Sequence, residues 1–285
     1  MRTRFAPSPT GPLHLGHAFS ALTAWRRARD AHGSCLLRIE DIDQSRARPE
    51  WEELIFRDLN WLGLDWPKPV MRQSDRMTAY SLALDRLWAE GLLYPCTCNR
   101  RDILAAASAP QDGAPLTGPD GVVYPGTCRN KHSRTGARPR DVALRLDMEA
   151  ALSDIQALAF TETGAGPSGE TGMIDIAVKD LISQVGDVVL ARRDMGTSYH
   201  LAVVVDDAAQ DISEVVRGAD LFEATPIHIA LQRLLDFPTP AYHHHRLIRD
   251  ETGKRLAKRD NARALHLFRD AGKSPADIRN MVGFS

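Results

Sequence analysis

Two histidines, His14 and His17, stand three residues apart at the end of a proline- and glycine-rich stretch, residues 7–17. Apolar residues at helical spacing from Leu15 onward predict a helix that begins there. A strand, a loop and a helix start in this order present backbone N–H groups and the positive end of the helix dipole, which favour a phosphate. Gly16, between the histidines, lets a ligand approach the backbone. The stretch therefore predicts a phosphate site; alternatively, the histidines only cap and pack a first helical turn.

Three cysteines, Cys96, Cys98 and Cys128, have the spacing of a metal site. Zinc in structural sites takes four ligands, thiolates among them. Tyr124 and His132 each lie four residues from Cys128 and are the candidates for the fourth ligand. Imidazole binds zinc far more often than phenol does, so ligand chemistry alone favours His132. The alternative is a set of three reduced core thiols.

A basic stretch at residues 253–260 is the second candidate phosphate site. A glycine precedes Arg255, Lys258 and Arg259, which suits a loop that closes over a triphosphate and offsets charge developing on phosphorus. Glu40 is a candidate ligand of another kind, a carboxylate directly after a predicted strand at 34–39. Ligands of open α/β sheets bind at the carboxyl ends of the strands.

A substrate carboxylate requires a guanidinium that offers two parallel donors. Arg4, at the end of the first predicted strand, and Arg217, in the third strand of the second half, are the candidates. Either one could instead form an ordinary structural ion pair.

The elements that must position these residues alternate in the manner of an α/β protein. In the second half, residues 187–194 and 198–207 are strand-like runs joined by a turn, and 212–218 is a third. This assignment makes Asp206 and Asp207 a strand end and a helix cap. A helix is expected to begin at Thr225, directly before a proline.

The bulk composition narrows the functional classes. The chain has 285 residues, with 36 basic residues against 37 acidic ones, so any RNA-binding surface must be local. The N-terminus lacks the apolar core of a signal peptide, and no apolar stretch approaches the ~20 residues of a membrane span. Few, clustered cysteines fit a reducing compartment. We expect a cytoplasmic protein with no membrane contact, acting as a monomer.

Several of these segments together resemble one family. Residues 7–17 resemble the HIGH signature of class I aminoacyl-tRNA synthetases, in the form that glutamate-type enzymes have, and 38–43 resembles their matching RIED segment. Residues 253–260 stand where the KMSKS motif of these enzymes would stand. Arg255 replaces its first lysine and Ala257 its serine, which leaves one phosphate contact unaccounted for.

The resemblance implies roles for individual residues. ATP, with Mg²⁺, is bound by His14, Gly16, His17 and Lys258, and the catalytic residues among these are His14, His17 and Lys258. The implied glutamate-binding residues are Arg4, Phe5, Ala6, Pro7, Ser8, Glu40, Tyr199 and Arg217. In this chemistry the glutamate α-carboxylate attacks the α-phosphate of ATP, and pyrophosphate leaves.

The cysteine motif narrows the resemblance further. Cys-x-Cys followed by Tyr-x-x-x-Cys resembles the zinc motif of the glutamyl-queuosine tRNA(Asp) synthetases, which implies one structural Zn²⁺ on Cys96, Cys98, Tyr124 and Cys128. Only 27 residues follow Lys258, whereas an anticodon-reading domain needs on the order of 100. We therefore expect no such domain.

These resemblances predict the architecture of a class I synthetase: an α/β Rossmann-type parallel sheet, an inserted zinc-binding subdomain of the acceptor type and a short helical stem-contact region. The expected divisions are 1–94 and 186–240 for the two halves of the catalytic domain, 95–185 for the insertion, and 241–285 for the KMSKS-like loop and C-terminal helices.

The implied reaction is tRNA-independent activation of L-glutamate and its transfer to queuosine in tRNA(Asp). Two alternatives stay open from the sequence: a truncated synthetase that charges a tRNA 3′ end, and a non-catalytic RNA- or nucleotide-binding paralogue.

Overall fold

The structure is a computed structural model that describes residues 1–107, 117–248 and 264–284. Lys258, Arg255 and Ala257 lie outside the described residues.

The described residues form ten strands and ten α-helices. The strands are β1 (Arg2–Phe5), β2 (Ser34–Ile39), β3 (Met71–Arg72), β4 (Leu93–Cys96), β5 (Ala143–Leu146), β6 (Leu158–Glu162), β7 (Gly172–Ile176), β8 (Val189–Ala191), β9 (Glu214–Gly218) and β10 (Ala241–His245). The helices are α1 (Leu15–Asp30), α2 (Pro49–Trp61), α3 (Met77–Ala89), α4 (Arg100–Ala107), α5 (Met148–Ala151), α6 (Val178–Asp180), α7 (Tyr199–Ala209), α8 (Thr225–Leu234), α9 (Leu265–Asp270) and α10 (Pro275–Met281).

Parallel strands form the centre of the molecule, as the sequence predicts. In the first half, β1, β2 and β3 pair in parallel in that order. In the second half, β9, β10 and β6 pair in parallel, and β7 closes the sheet as an antiparallel edge strand. The two halves meet where β9 lies beside β1, since the Ser213 N–H donates to the Arg2 carbonyl at 3.0 Å. The carboxyl ends of β1, β2 and β9 therefore carry Arg4, Glu40 and Arg217 to one region.

A smaller antiparallel sheet, in the order β4-β5-β8, stands apart from the parallel strands and ends at Cys96. Strand pairing crosses the boundary expected between residues 185 and 186. β8, after that boundary, pairs with β5, while β6, before it, pairs with β10.

The strand expected at residues 198–207 is wrong, because Tyr199–Ala209 is helix α7. The Ser198 hydroxyl accepts the Leu201 N–H at 3.3 Å and caps the helix start. Residues 200–207 are all buried, so the helix is covered on every side and its sequence shows no polar face. A continuous apolar run of this kind reads equally as a buried strand, which explains the error.

The assignment of Asp206 and Asp207 to a strand end and a helix cap is wrong for the same reason. Both lie in the second half of α7 with their side chains buried. α7 packs against α3 and α8, and its Asp207 pairs with Arg4 of β1 and Arg38 of β2.

The short C-terminal helices complete the first half of the molecule. Leu265 of α9 and Ile278 of α10 are fully buried in the core that α1 and α2 form against β2. None of the helices in the described ranges combines the length and the apolar character needed to cross a membrane.

Candidate active site

The histidine loop, residues 7–17, caps helix α1 with the imidazoles of His14 and His17. His14 Nδ1 accepts the Gly16 N–H at 3.1 Å, and His17 Nδ1 accepts the His14 N–H at 3.2 Å. The rings stack with their centroids 3.8 Å apart. Because each Nδ1 accepts a hydrogen bond, a neutral ring carries its proton on Nε2. The capping role and the phosphate role are therefore compatible, since Nε2–H is the kind of donor that phosphate oxygens accept.

Gly16 lies close to this cap, because a Cβ there would stand 3.0 Å from His14 Cε1 and the imidazole would have to shift. Other contacts anchor the loop to its neighbours. The Glu40 N–H donates to the Pro7 carbonyl at 3.0 Å, and the Leu265 N–H donates to the Leu13 carbonyl at 2.8 Å. His14 also forms a β-bridge with Ala264, the first described residue after the segment that contains Lys258.

A cavity of about 1590 Å³ opens beside the loop, between the parallel strands and the small sheet. Ser8, Glu40 and Tyr199 line one side of it, and Cys96 and Cys98 line the other. The other predicted glutamate ligands are not among the residues that line this cavity: Arg4, Phe5, Ala6, Pro7 and Arg217. Phe5 and Pro7 are buried, and both candidate arginines are about 5% exposed.

Arg4 belongs to a buried ion-pair cluster. Its Nε donates to Asp207 Oδ1 at 3.1 Å, and Arg38 Nη1 donates to the same oxygen at 2.7 Å. Arg38 Nη2 reaches Glu40 Oε1 at 3.3 Å. Burial opposes ionisation of Asp207, but Arg4 and Arg38 outweigh it and hold the pKa of this carboxyl below its usual value. For Glu40 burial prevails and raises the pKa.

Arg217 is held differently. Its Nε donates to His244 Nε2 at 3.1 Å, Nη1 to His228 Nδ1 at 3.0 Å, and Nη2 to the Thr225 hydroxyl at 2.7 Å. In the described part of the chain, no carboxylate oxygen lies within 4 Å of this guanidinium. Burial and the adjacent Arg217 charge lower the pKa of His228 well below its usual value, so this partner is a neutral imidazole.

The imidazoles of His244 and His228 form further hydrogen bonds to groups more distant from Arg217. His244 Nδ1 bonds Glu162 Oε2 at 2.5 Å. His228 Nε2 bonds His200 Nδ1 at 3.0 Å, and His200 Nε2 bonds Asp120 Oδ1 at 2.9 Å. The counter-charges of Arg217 therefore lie one imidazole away on one side and two imidazoles away on the other.

Tyr199 joins this cluster to the cavity. Its ring centroid lies 5.8 Å from that of His228, and the residue is 36% exposed, on the cavity wall. Burial of the hydroxyl and the nearby Glu40 carboxylate raise the pKa of Tyr199, so the phenol stays protonated.

The cysteines converge at the far side of the cavity. The thiol sulfurs of Cys96, Cys98 and Cys128 all lie within 4.8 Å of one another. The Tyr124 hydroxyl lies 3.5 Å from Cys96 Sγ and 3.4 Å from Cys98 Sγ, and it accepts the Cys128 N–H at 2.9 Å. Tetrahedral zinc with ~2.3 Å bonds places its ligands about 3.8 Å apart, so this four-atom cluster has suitable dimensions for a metal.

His132 is exposed and lines the cavity, whereas the Tyr124 hydroxyl lies among the thiols. The cluster also has a buried cation beside it. Arg145 stacks over the Tyr124 ring at 3.8 Å, and its Nε donates to Cys96 Sγ at 3.3 Å.

Comparison with known proteins identifies the family. The family model for the catalytic domain of class I tRNA synthetases of the glutamate and glutamine type matches residues 1–136 and 169–284. A glutamyl-Q tRNA(Asp) synthetase of Rhodobacter capsulatus is 61% identical over 99% of this chain and 100% of its own length. The chain belongs to the glutamyl-Q tRNA(Asp) synthetase family. A second member, from Geobacter sulfurreducens, is 44% identical over 94% of this chain and 78% of its own length.

Solved structures agree with this family assignment. A glutamate tRNA ligase from Elizabethkingia meningosepticum, in complex with its amino acid, superimposes with a TM-score of 0.69 at 26% identity. The match covers 92% of this chain and 52% of that one, so the chain spans about half the length of this relative. A methionyl-tRNA synthetase of Mycobacterium tuberculosis, at 12% identity and a TM-score of 0.61, shares the fold. The α/β class I synthetase fold with its parallel sheet is thus confirmed.

The family's characteristic motifs do not mark several residues that surround Arg217. His200, His228 and His244 come from α7, α8 and β10, Glu162 ends β6, and Asp120 lies between α4 and β5. One local signal could have indicated this cluster. His228 lies among apolar residues in the predicted helix at Thr225, and a buried histidine needs a polar partner.

Proposed function

We propose that this chain activates L-glutamate with ATP, without tRNA, and transfers the glutamyl group to the cyclopentenediol of queuosine at the anticodon wobble position of tRNA(Asp). We further propose that it does so as a cytoplasmic monomer. The observation that carries the amino acid specificity is Arg217, a buried guanidinium without a carboxylate partner in the described residues, beside a cavity lined by Glu40 and Tyr199. The names of the relatives support the acceptor.

Within the site, the Glu40 carboxylate holds the substrate α-amino group, and Arg217 receives the side-chain carboxylate with a fork of donors. Arg4, whose charge Asp207 largely balances, adds only a weak positive potential from beneath. Residues 4–8 support the substrate, which Ser8 and Tyr199 face from the cavity wall. Glutamine fits less well, because its amide would place a donor against the guanidinium donors.

ATP lies at the histidine loop. His14, Gly16 and His17 supply the donors for its phosphates at the start of α1, where the helix dipole is favourable. We assign Lys258 to the same phosphates, and this assignment is supported by the β-bridge between His14 and Ala264, the first described residue after Lys258. The substrate α-carboxylate attacks the α-phosphate, pyrophosphate leaves with Mg²⁺, and these donors stabilise the charge that develops on phosphorus.

The thiol cluster fits one structural Zn²⁺, held by Cys96, Cys98, Cys128 and the Tyr124 oxygen. When bound, zinc would cross-link β4 to the segment at 124–128. Arg145 suits such a site because three thiolates and a phenolate leave excess negative charge. His132 is the weaker candidate for the fourth ligand, since its side chain is exposed on the cavity wall.

ATP–pyrophosphate exchange with glutamate, measured with and without tRNA, tests activation. Exchange in both cases is expected, and its absence would leave only the non-catalytic alternative. The acceptor is tested with tRNA(Asp) that lacks queuosine and with queuosine-containing tRNA(Asp) that lacks its terminal adenosine. Glutamylation of the second but not the first is expected. The reverse result would favour charging of a tRNA 3′ end.

A further inference from the structure

The contacts of Arg217 determine which of its hydrogens a ligand can use. A guanidinium has five N–H donors and no acceptor. Three of them go to His244, His228 and Thr225, one from each nitrogen. Within the described residues, one hydrogen on each terminal nitrogen is left, which matches the two oxygens of a carboxylate.

The donor-only character of Arg217 also sets the protons of the histidines beyond it. His228 Nδ1 must accept from Arg217, so its proton sits on Nε2 and is donated to His200 Nδ1. His200 then carries its own proton on Nε2 and donates it to Asp120. Every hydrogen bond in this row points from Arg217 towards Asp120, and a carboxylate is the acceptor that suits its end.

Asp120 is the outermost residue of the hydrogen-bonded row Arg217–His228–His200–Asp120. Its side chain is 42% exposed, it lines the cavity together with His200, and it lies four residues before Tyr124 of the thiol cluster. His228 and Arg217 are almost fully buried. The hydrogen bond from His200 to Asp120 thus links the loop between α4 and β5 to the buried part of the amino acid site.

We propose that Asp120 is a positioning residue for the amino acid site, acting through His200 and His228 to aim Arg217 at the side-chain carboxylate of the substrate. This inference rests on the proposed role of Arg217 in binding glutamate. Without Asp120, only Arg217 favours this order of protons, so the opposite tautomers of the two histidines become more populated. His228 Nδ1–H would then face an Arg217 N–H, donor against donor, and the guanidinium would lose one of the three contacts that orient it.

Keeping the negative charge two imidazoles away has a second consequence. A carboxylate placed directly on Arg217 would neutralise it and compete with the substrate. Asp120 instead orders the protons while the guanidinium keeps its charge, which favours glutamate over glutamine. Asp120 therefore affects both affinity and selectivity without touching the substrate.

The test is steady-state ATP–pyrophosphate exchange with the full chain and its D120A and D120N variants. In D120A the KM for glutamate is expected to rise about fivefold to tenfold, in line with the net contribution of one ordinary hydrogen bond, while kcat and the KM for ATP stay unchanged. D120N retains an acceptor oxygen, so a smaller rise is expected. The preference for glutamate over glutamine should fall in D120A.

Asp141 offers a matched control, because it is also an exposed carboxylate that lines the cavity in the inserted segment. D141A is expected to keep the wild-type KM for glutamate. Long-range ¹H–¹⁵N correlation spectra supply a second readout. His200 and His228 should be Nε2–H tautomers in the wild type and tautomer mixtures in D120A.

The outcomes separate this inference from the proposed function. If R217M raises the KM for glutamate but D120A does not, the role of Asp120 is overturned and glutamate activation stands. If the wild type shows no exchange with glutamate, the proposed function fails first. A fall in kcat or a rise in the KM for ATP in D120A, equal to its effect on glutamate, would also overturn a positioning role.

Discussion

Two buried arginine clusters lie side by side beneath the cavity, and they are balanced in opposite ways. Around Arg4 and Arg38, the partners are carboxylates, chiefly Asp207, which bonds both guanidinium groups. Around Arg217, the partners are the imidazoles His228 and His244. The first cluster is internally charge-matched, whereas the second is oriented by neutral groups.

The difference indicates what each cluster does. A buried cation paired with carboxylates holds the elements together and has little charge left for a ligand. A buried cation held by neutral acceptors has a fixed direction and an unmatched charge, so a carboxylate ligand completes it. Substitutions in the first cluster should therefore reduce stability, and substitutions in the second should reduce glutamate binding.

The largest effect is expected for Arg217→Met. Loss of one partner of a buried charge pair costs roughly 2–5 kcal/mol, so the KM for glutamate in the exchange assay should rise about 30-fold or more, with ATP affinity unchanged. R192M is the control, because Arg192 lines the same cavity but pairs with the exposed Asp194. A wild-type glutamate KM for R217M would remove the distinction between the clusters.

Asp207→Asn should act on stability instead. Removal of this carboxylate leaves Arg4 and Arg38 without their shared partner, and the free energy of unfolding in urea should fall by about 3–5 kcal/mol. D211N is matched to it, because Asp211 pairs with Arg2 at the surface and is 86% exposed; its effect should stay within about 0.5 kcal/mol. Equal losses in both variants would argue against a structural role for the buried cluster.

Acid should separate Glu40 from Asp207, two of the carboxylates that contact Arg38. The pKa of Glu40 is raised above its ordinary 4.5, so this carboxylate takes up its proton already at pH values above 4.5. As the pH falls below that pKa, the KM for glutamate should rise by about tenfold per pH unit. The pKa of Asp207 in the folded protein lies below its ordinary 3.8. The stabilisation by this carboxylate is therefore complete above pH 3.8 and is lost only as the pH falls through the lower, folded-state pKa.

The measurement is the exchange KM and the fluorescence of the folded chain from pH 7 to 4. E40Q should show a high and pH-independent KM for glutamate. A KM that stays constant down to pH 4.5 in the wild type would contradict the assigned state of Glu40.

The smallest effect is expected on metal removal. Chelation should free the segment around Tyr124 and weaken the contact from Asp120 to His200, which raises the glutamate KM by about twofold to threefold. D120A should show no further rise when it is stripped of metal. Elemental analysis before and after chelation gives the metal content, and an equal rise in both proteins would place the effect elsewhere.

Much of the fold could be predicted from the sequence, because its signals are local. The helix that starts at Leu15, the strand at Ser34–Ile39 and the helix that opens at Thr225 follow from spacing and from helix-start residues. The error at Tyr199–Ala209 has a physical origin. Fully buried helices and strands are both continuous apolar runs, and only the packing around α7 distinguishes them.

The sequence by itself determined the chemical types and their order: a histidine pair at a helix start, a carboxylate after the second strand, and three thiols with a nearby phenol. It also determined the family, because these short motifs resemble those of glutamate-type enzymes. Each is a local pattern that needs only a few neighbouring residues to be recognised.

Only the tertiary structure decided how the two arginines differ. Arg4 and Arg217 are equivalent in type, and each sits in a strand near its carboxyl end. Their partners come from residues that are distant in sequence, such as Asp207 for Arg4 and His244 for Arg217. Because the free charge of a buried cation depends on what folding brings within hydrogen-bond distance, no local pattern could reveal it.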